Sequence, residues 1–338
     1  MTQTILIMGA GSVGCYLGGL LAASGATVHF VGRPRVLQAL GQSGLTVSDM
    51  DGRSSTLPAA ALQLHEAVPA GLAPELTLLC VKSGATVDAA RELSTALPAG
   101  SLVLSMQNGL GNAQRGQAAA PQLDWRPGMV PFNIAELGPG RFHRGTAGAL
   151  AAQGRTDEPA LQALAAAFAS QGLKLRLHAD LQAIQWGKLV INLNNPVNAL
   201  SGRPLRAELL EHGYRSCWAA LQEEALDLLE AAGIEVAQMT ALTPRKLLRV
   251  LRLPSPLFRL VAAKMLKVDE KARSSMADDL ALGRVTEIDA LSGEVVRLAA
   301  RLGRRAPLNE RIQQLVEAWP QQREFFAPKQ LLAALRQG

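Results

Sequence analysis

Four short apolar runs punctuate the first third of the chain: Thr4 to Met8, Thr27 to Val31, Leu76 to Val81 and Leu102 to Ser105. Each is too short for a helix and, apart from the partly alternating Thr27 to Val31, each is nearly continuously apolar, so they read as strands buried on both faces, as in a parallel sheet flanked by helices. Leu45 to Ser48 and Arg53 to Leu57 flank Asp51-Gly52 and predict a hairpin inserted before the sheet resumes. Met129 to Ile134, Gly148 to Ala152 and Leu173 to Leu177, separated by Gly138-Pro139-Gly140 and one Ala-rich helix, are expected to extend the same sheet. From Asp180 the pattern turns almost entirely helical, which places a domain boundary near His178. The expectation is an α/β domain over 1–178 followed by an all-α domain over 179–338.

The first strand runs directly into Gly9-Ala10-Gly11-Ser12-Val13-Gly14 and then a small-residue helix, Cys15 to Ser24. Strand, G-x-G-x-x-G and helix in that order form the dinucleotide fingerprint of a Rossmann-type domain. Gly9 suits the tight turn, Gly11 the approach of a pyrophosphate and Gly14 the packing of helix on strand, while the amides from Ser12 onward open a helix N-terminus to phosphate. The second strand ends in Gly32-Arg33-Pro34-Arg35, where an NAD site would place a carboxylate. Guanidinium groups there suit a 2′-phosphate and favour NADP(H); two arginines on a surface loop are the alternative. Lys82 and Asn108 follow the third and fourth runs, at strand ends that face the ligand crevice in such sheets, so both are expected to contact cofactor or substrate.

In the helical half, Trp186-Gly187-Lys188 leads into Asn192, Asn194, Asn195, Pro196 and Asn198. At about 100° per residue, Lys188, Asn192 and Asn195 share one face of an otherwise apolar helix. Buried amides need partners, and a ligand with keto, hydroxyl and carboxylate groups supplies them. Pro196 is expected to kink the helix and redirect Asn198. Further on, Ser275 is the expected cap of one long helix whose apolar stripe runs through Leu280, Ile288, Leu291, Val295 and Leu298, with Glu287 bordering the stripe.

Composition narrows the function classes. With 48% hydrophobic and 18% charged residues, and no apolar run near the roughly 20 residues of a membrane span, the chain reads as a cytoplasmic globular protein with no membrane partner. Cys15, Cys80 and Cys217 follow no metal spacing and the five histidines are scattered, so no metal is expected. The net charge of +6 is concentrated: Thr243 to Arg273 holds nine basic residues against Asp269 and Glu270. It has Phe258 as its only aromatic, which argues against nucleic acid and leaves a solvated basic surface or the attraction of anionic ligands. It is expected to form two helices broken at Pro254-Ser255-Pro256, with Leu247, Leu248, Leu251, Phe258, Val261 and Met265 as an apolar underside, and to act as a mobile basic flap drawing in anions.

Taken together, Gly9 to Gly14, Gln107-Asn108-Gly109, Trp186-Gly187-Lys188 with its asparagines, and Ser275-Met276 through Thr286-Glu287-Ile288-Asp289 resemble the ketopantoate reductase (2-dehydropantoate 2-reductase) family over nearly the full length. The resemblance implies NADPH-dependent reduction of a 2-keto acid in pantothenate biosynthesis, with Lys188 as general acid and Glu287 engaging the substrate hydroxyl. It further implies that Ser275 binds the carboxylate and that Asn108 and Asn192 order cofactor and substrate, with Asn195 or Asn198 as the second helix asparagine. A homodimer is an open arrangement. The alternatives are a relative acting on another keto or β-hydroxy acid, and an NADPH-binding regulatory protein without turnover. Ser201 to Arg206 departs from the family in lacking an asparagine, which bears on the identity of the keto acid.

Overall fold

The computed structural model describes residues 3–263, 266 and 272–337, and the chain divides into two compact units, Met1–Leu181 and Gln182–Gly338. The first runs β1 (Thr4–Met8), α1 (Ser12–Ala23), β2 (Thr27–Val31), α2 (Pro34–Ser43), β3 (Leu45–Asp49), β4 (Ser54–Leu57), β5 (Gln63–His65), β6 (Leu76–Leu79), α3 (Thr86–Ala96), β7 (Leu102–Ser105), α4 (Asn112–Ala119), β8 (Asp124–Met129), β9 (Ile134–Gly138), β10 (Arg141–Arg144), β11 (Leu150–Gln153), α5 (Pro159–Ser170) and β12 (Leu175–His178).

The main sheet has the order β12-β11-β8-β7-β6-β1-β2-β5. It is parallel from β5 to β8, and β11 turns antiparallel against β8. Successive side chains of β1 point to opposite faces, and both faces are dry. Ile5 and Ile7 pack with Leu17, Phe30 and Phe168 on one side, while Leu6 and Met8 pack with Leu79, Leu93 and Val103 on the other.

A second sheet, β4-β3-β10-β9, corrects the expectation of one sheet. Met129 to Ile134 is not a strand: β8 ends at Met129, and Ile134 begins β9 of a hairpin around Gly138-Pro139-Gly140 that joins β3. Burial explains the small-residue composition of α1, because this sheet lies on it. A Cβ on Gly19 would come 2.6 Å from Val47, and one on Gly18 would come 2.4 Å from Phe30. The buried pair Arg144–Asp49, 3.0 Å apart, ties β10 to β3 where the two residues are in register.

The second unit is helical: α6 (Gln182–Asn192), α7 (Asn194–Ser201), α8 (Leu205–Leu210), α9 (His212–Ala231), α10 (Pro244–Leu251), α11 (Ser255–Val261), α12 (Ser275–Ala281), α13 (Ile288–Arg301), α14 (Pro307–Gln322) and α15 (Pro328–Arg336). The long α9 is its axis, burying Tyr214, Cys217, Leu221, Ala225 and Leu229 among the others. No helix among the described residues is long and apolar enough to cross a membrane.

Of the expected basic flap, α10 packs on α9 and α11 on α8, while Lys264, Lys267 and Lys271 lie outside the described residues. Leu247, Leu248, Leu251 and Phe258 are buried as expected, but Val261 is exposed, and Met265 lies outside the described residues. Arg245 pairs with Asp227 and Glu230 of α9, and Arg252 with Glu223. The fully buried Arg215 donates to the carbonyls of Leu209, Leu251 and Leu253 and lies over the Phe258 ring. Two of the segment's nine basic residues, Arg245 and Arg252, are thus met by acidic residues of α9.

Candidate active site

In the first unit, the turn after β1 is held by its own backbone. The amides of Gly9 and Ala10 both donate to the Val31 carbonyl, and the Gly11 amide to Gly9. Gly9 sits at φ +112°, and a Cβ there would come 2.6 Å from the Val81 amide; a Cβ on Gly14 would come 2.1 Å from the Gly9 carbonyl oxygen. A side chain at either position would push the loop off the strand ends. At Gly11 a Cβ would meet nothing within 4 Å, so the backbone there is open to an incoming group. Cys15 closes the first helical bond on Gly11, which leaves the amides of Ser12, Val13 and Gly14 at the helix start as donors for an anion. This cradle fits a dinucleotide pyrophosphate. Arg33, at the end of β2, is exposed together with Arg35, and neither makes an ion pair among the described residues.

The turns after β6 and β7 are stapled side by side. Buried Gln107 donates to the Val81 carbonyl (2.9 Å) and to Thr86 Oγ1 (2.9 Å), and its Oε1 accepts from Ser105 (2.8 Å). Ser83 Oγ donates to the Asn108 carbonyl at 3.1 Å, and Asn112 Nδ2 donates to the same oxygen at 2.8 Å. Exposed Lys82 and half-buried Asn108 therefore sit on neighbouring turns, next to the Gly9 loop through Val81. Gln107 lies beside Asn108 in sequence, yet its role as the staple was not legible, because a glutamine between a strand and a glycine reads equally as loop.

In the second unit, Lys188 is half-buried on α6. Burial pushes its ammonium down to about 8, against the opposing pull of the Glu287 carboxylate. Gly187 sets the helix in place: a Cβ there would come 2.4 Å from the Ala237 carbonyl oxygen, in a segment that also bonds back to α6 through the Ala237 amide and the Ala183 carbonyl. Asn192 ends α6. The helix breaks at Leu193, one turn before Pro196, which occupies the first turn of α7 where its missing amide costs nothing.

Asn192 and Asn195 are half-buried and make no side-chain hydrogen bond among the described residues. Asn198 is different, and the expectation that it binds substrate is corrected. It is wholly buried, its Nδ2 donates to the Arg203 carbonyl (2.9 Å) and Glu208 Oε2 (3.1 Å), and its Oδ1 accepts from the Ser274 amide (2.9 Å). Both of its amide protons are spent inside the protein, and no part of it is exposed to an incoming ligand.

The expected cap shifts by one residue. Ser274 Oγ accepts from the Ala277 amide at 3.1 Å and so caps α12, leaving Ser275 exposed at the first helical position with its hydroxyl outside the cap. Nor is there one long helix: Gly283 at φ +62° ends the turn after α12, and Glu287 is the residue before α13, half-buried and facing Lys188 electrostatically. The structure thus couples Lys188 with Glu287 in one unit, and gathers Gly9–Gly14, Lys82 and Asn108 in the other.

Comparison with known proteins agrees over both units. The family described as "Ketopantoate reductase PanE/ApbA" matches residues 5–154, and "Ketopantoate reductase PanE/ApbA C terminal" matches 180–319. The chain is similar to a 2-dehydropantoate 2-reductase of Halobacterium salinarum, 30% identical over 303 residues that cover 87% of this chain and 91% of that protein. Its fold is similar to a PanE/ApbA family ketopantoate reductase from Ralstonia eutropha (TM-score 0.78, 28% identity, 95% of this chain and 99% of that one). A D-mandelate dehydrogenase solved with NADH and anilino(oxo)acetate shares the fold at 19% identity (TM-score 0.77, 95% and 99% covered).

Proposed function

The chain belongs to the ketopantoate reductase family, a family of oxidoreductases, and from that premise we propose that it reduces a 2-keto acid to the 2-hydroxy acid with NADPH, converting 2-dehydropantoate to pantoate in pantothenate biosynthesis. The observation that carries this reading is the Lys188–Glu287 pair: a desolvated ammonium brought down to about 8 and held charged by a carboxylate. A proton donor works best with a pKa near the working pH, where it is still protonated but gives the proton up readily.

Gly9, Gly11 and the amides of Ser12, Val13 and Gly14 would hold the pyrophosphate, Arg33 the 2′-phosphate, and Lys82 and Asn108 the remainder of the cofactor. A dinucleotide held there would supply the hydride that C2 of the keto acid requires. Lys188 Nζ gives its proton to the carbonyl oxygen as charge builds there, is left neutral, and recovers a proton from solvent. Glu287 holds that ammonium charged beforehand and accepts a hydrogen bond from a substrate hydroxyl. Asn192 and Asn195, whose side-chain amides are not used among the described residues, orient the substrate, and the hydroxyl of Ser275, outside the helix cap, meets its carboxylate.

Steady-state NADPH consumption against 2-dehydropantoate and a panel of other branched 2-keto acids tests the proposal. Turnover strongest on 2-dehydropantoate is expected. Preference for another keto acid would move the chain to a sister activity, and no turnover on any of them would reduce it to a nucleotide-binding protein.

A further inference from the structure

Between α7, α8 and the start of α12 lies a carboxyl group that the reaction does not use. Glu208 is completely buried, and among the described residues no cationic side chain stands against it. Its Oε2 accepts from Asn194 Nδ2 and from Asn198 Nδ2, each at 3.1 Å. Its other oxygen, Oε1, is buried without a partner, and so is Oδ1 of the same Asn194. Two orphaned acceptors on one already bonded acid–amide couple call for a single shared hydrogen, since an unmet buried acceptor is costly and a buried lone charge more so.

We infer that Glu208 carries a proton on Oε1 and donates it to Asn194 Oδ1, closing a neutral two-bond acid–amide pair that positions the candidate substrate site. Burial pushes the Glu208 carboxyl up to about 8, against the two asparagine hydrogen bonds, in line with that geometry. The pair sits where the site is assembled. Asn194 opens α7 two residues after Asn192, and Asn198, on the same Glu208 oxygen, receives the Ser274 amide and so fixes the residue before Ser275. Among the described residues, the ionisable groups on and around α8 are the exposed Arg206 of α8 itself, Tyr214, Arg215 and Cys217 of α9, the exposed Arg259 of α11, and Arg273 and Asp278 at the start of α12, with Arg203 and Glu211 on its flanking turns. Burial raises the Tyr214 hydroxyl, and the Cys217 thiol to about 12; Arg215 is committed to backbone carbonyls, and Arg203 pairs with Glu211.

The pair itself stands on geometry alone; its role in catalysis rests on the reading of Lys188 and Ser275 above. A carboxyl raised on folding has its full stabilising effect below the ordinary carboxylate range, loses it as pH rises from there, and has lost it once pH has passed its folded value, here about 8. Glutamine keeps both bonds of the pair and cannot ionise. Thermal unfolding of the wild type and of Glu208→Gln, followed from about pH 4 to about pH 9, should coincide at the acid end, separate steadily from the ordinary carboxylate range upward with the wild type losing more, and keep a constant gap above about 8. The wild type at neutral pH should also show the infrared band of a protonated carboxyl that Glu208→Gln lacks. Parallel pH profiles, or a Glu208→Gln protein less stable throughout, would mean an ionised carboxylate or a bridging water and overturn the pair.

For the positioning role, KM for the keto acid should rise about threefold or more in the wild type between about pH 7 and 9 and stay flat in Glu208→Gln. The loss of kcat from Lys188 is common to both proteins and cancels in the comparison. KM values that move together would overturn positioning. If neither protein turns over any keto acid, the functional reading fails while the unfolding and infrared results still decide the pair.

Discussion

At the scale of single residues, the chemistry rests on one ammonium and the carboxylate that keeps it charged. Lys188→Ala should lower kcat by about 10²-fold or more while cofactor binding persists, because the lost interaction belongs to the transition state. The donor works as the ammonium, so kcat should be highest below about 8 and fall as pH rises through that value. Glu287 pulls the Lys188 pKa upward. Glu287→Gln should therefore move the alkaline limb of the kcat–pH profile to lower pH; a limb that stays put would leave Glu287 with no electrostatic part. In the other unit, Arg33 ends β2 where a carboxylate would have favoured NADH. Arg33→Asp should narrow or reverse a preference for NADPH, and equal kcat/KM for the two cofactors in the parent protein would remove the arginine from recognition.

Among the elements, α12 separates structural from functional serines. Ser274 spends its hydroxyl on the Ala277 amide and on the Asn195 carbonyl, so Ser274→Ala should cost about 1 kcal/mol, the usual loss for a helix cap. Ser275→Ala, one residue later, should leave the unfolding midpoint nearly unchanged and raise KM for the keto acid. The reverse pattern would return the cap to Ser275. The break at Leu193 has a related effect on α6 and α7: it ends the apolar face that carries Lys188 and Asn192 and begins a new helix whose Asn194 and Asn198 turn inward to Glu208.

For the whole molecule, the excess positive charge is structural before it is functional. Arg245 and Arg252 reach acidic residues of α9 while remaining nearly half exposed. Such pairs contribute about 1 kcal/mol or less and weaken with salt. Neutralising Arg245 and Arg252 to glutamine should lower stability by about that amount at low ionic strength, with a smaller loss at high salt, and change KM little. A rise in KM whose size falls with added salt would restore an electrostatic role for this segment.

The sequence by itself determined the features that depend on neighbours along the chain. Four buried strand runs, the glycine turn that opens α1, the all-helical second half and the Lys188 motif are written in local periodicity and in the short-range sterics of glycine and proline. The break at Pro254 was legible for the same reason, whereas the kink expected at Pro196 falls three residues earlier, at Leu193. Tertiary structure decided what depended on distant partners. Whether Asn195 or Asn198 is available turns on the Ser274 amide, 76 residues away, which occupies Asn198. The second sheet required Arg144 and Asp49, 95 residues apart, to pair in a buried register that no window of sequence contains. Glu208 sits in a leucine-rich helix and reads as a solvated residue until its full burial and its two asparagine partners show what the fold has done to it. A polar side chain's type is set by the sequence, but its unused hydrogen-bonding capacity is fixed only once the fold has filled the rest.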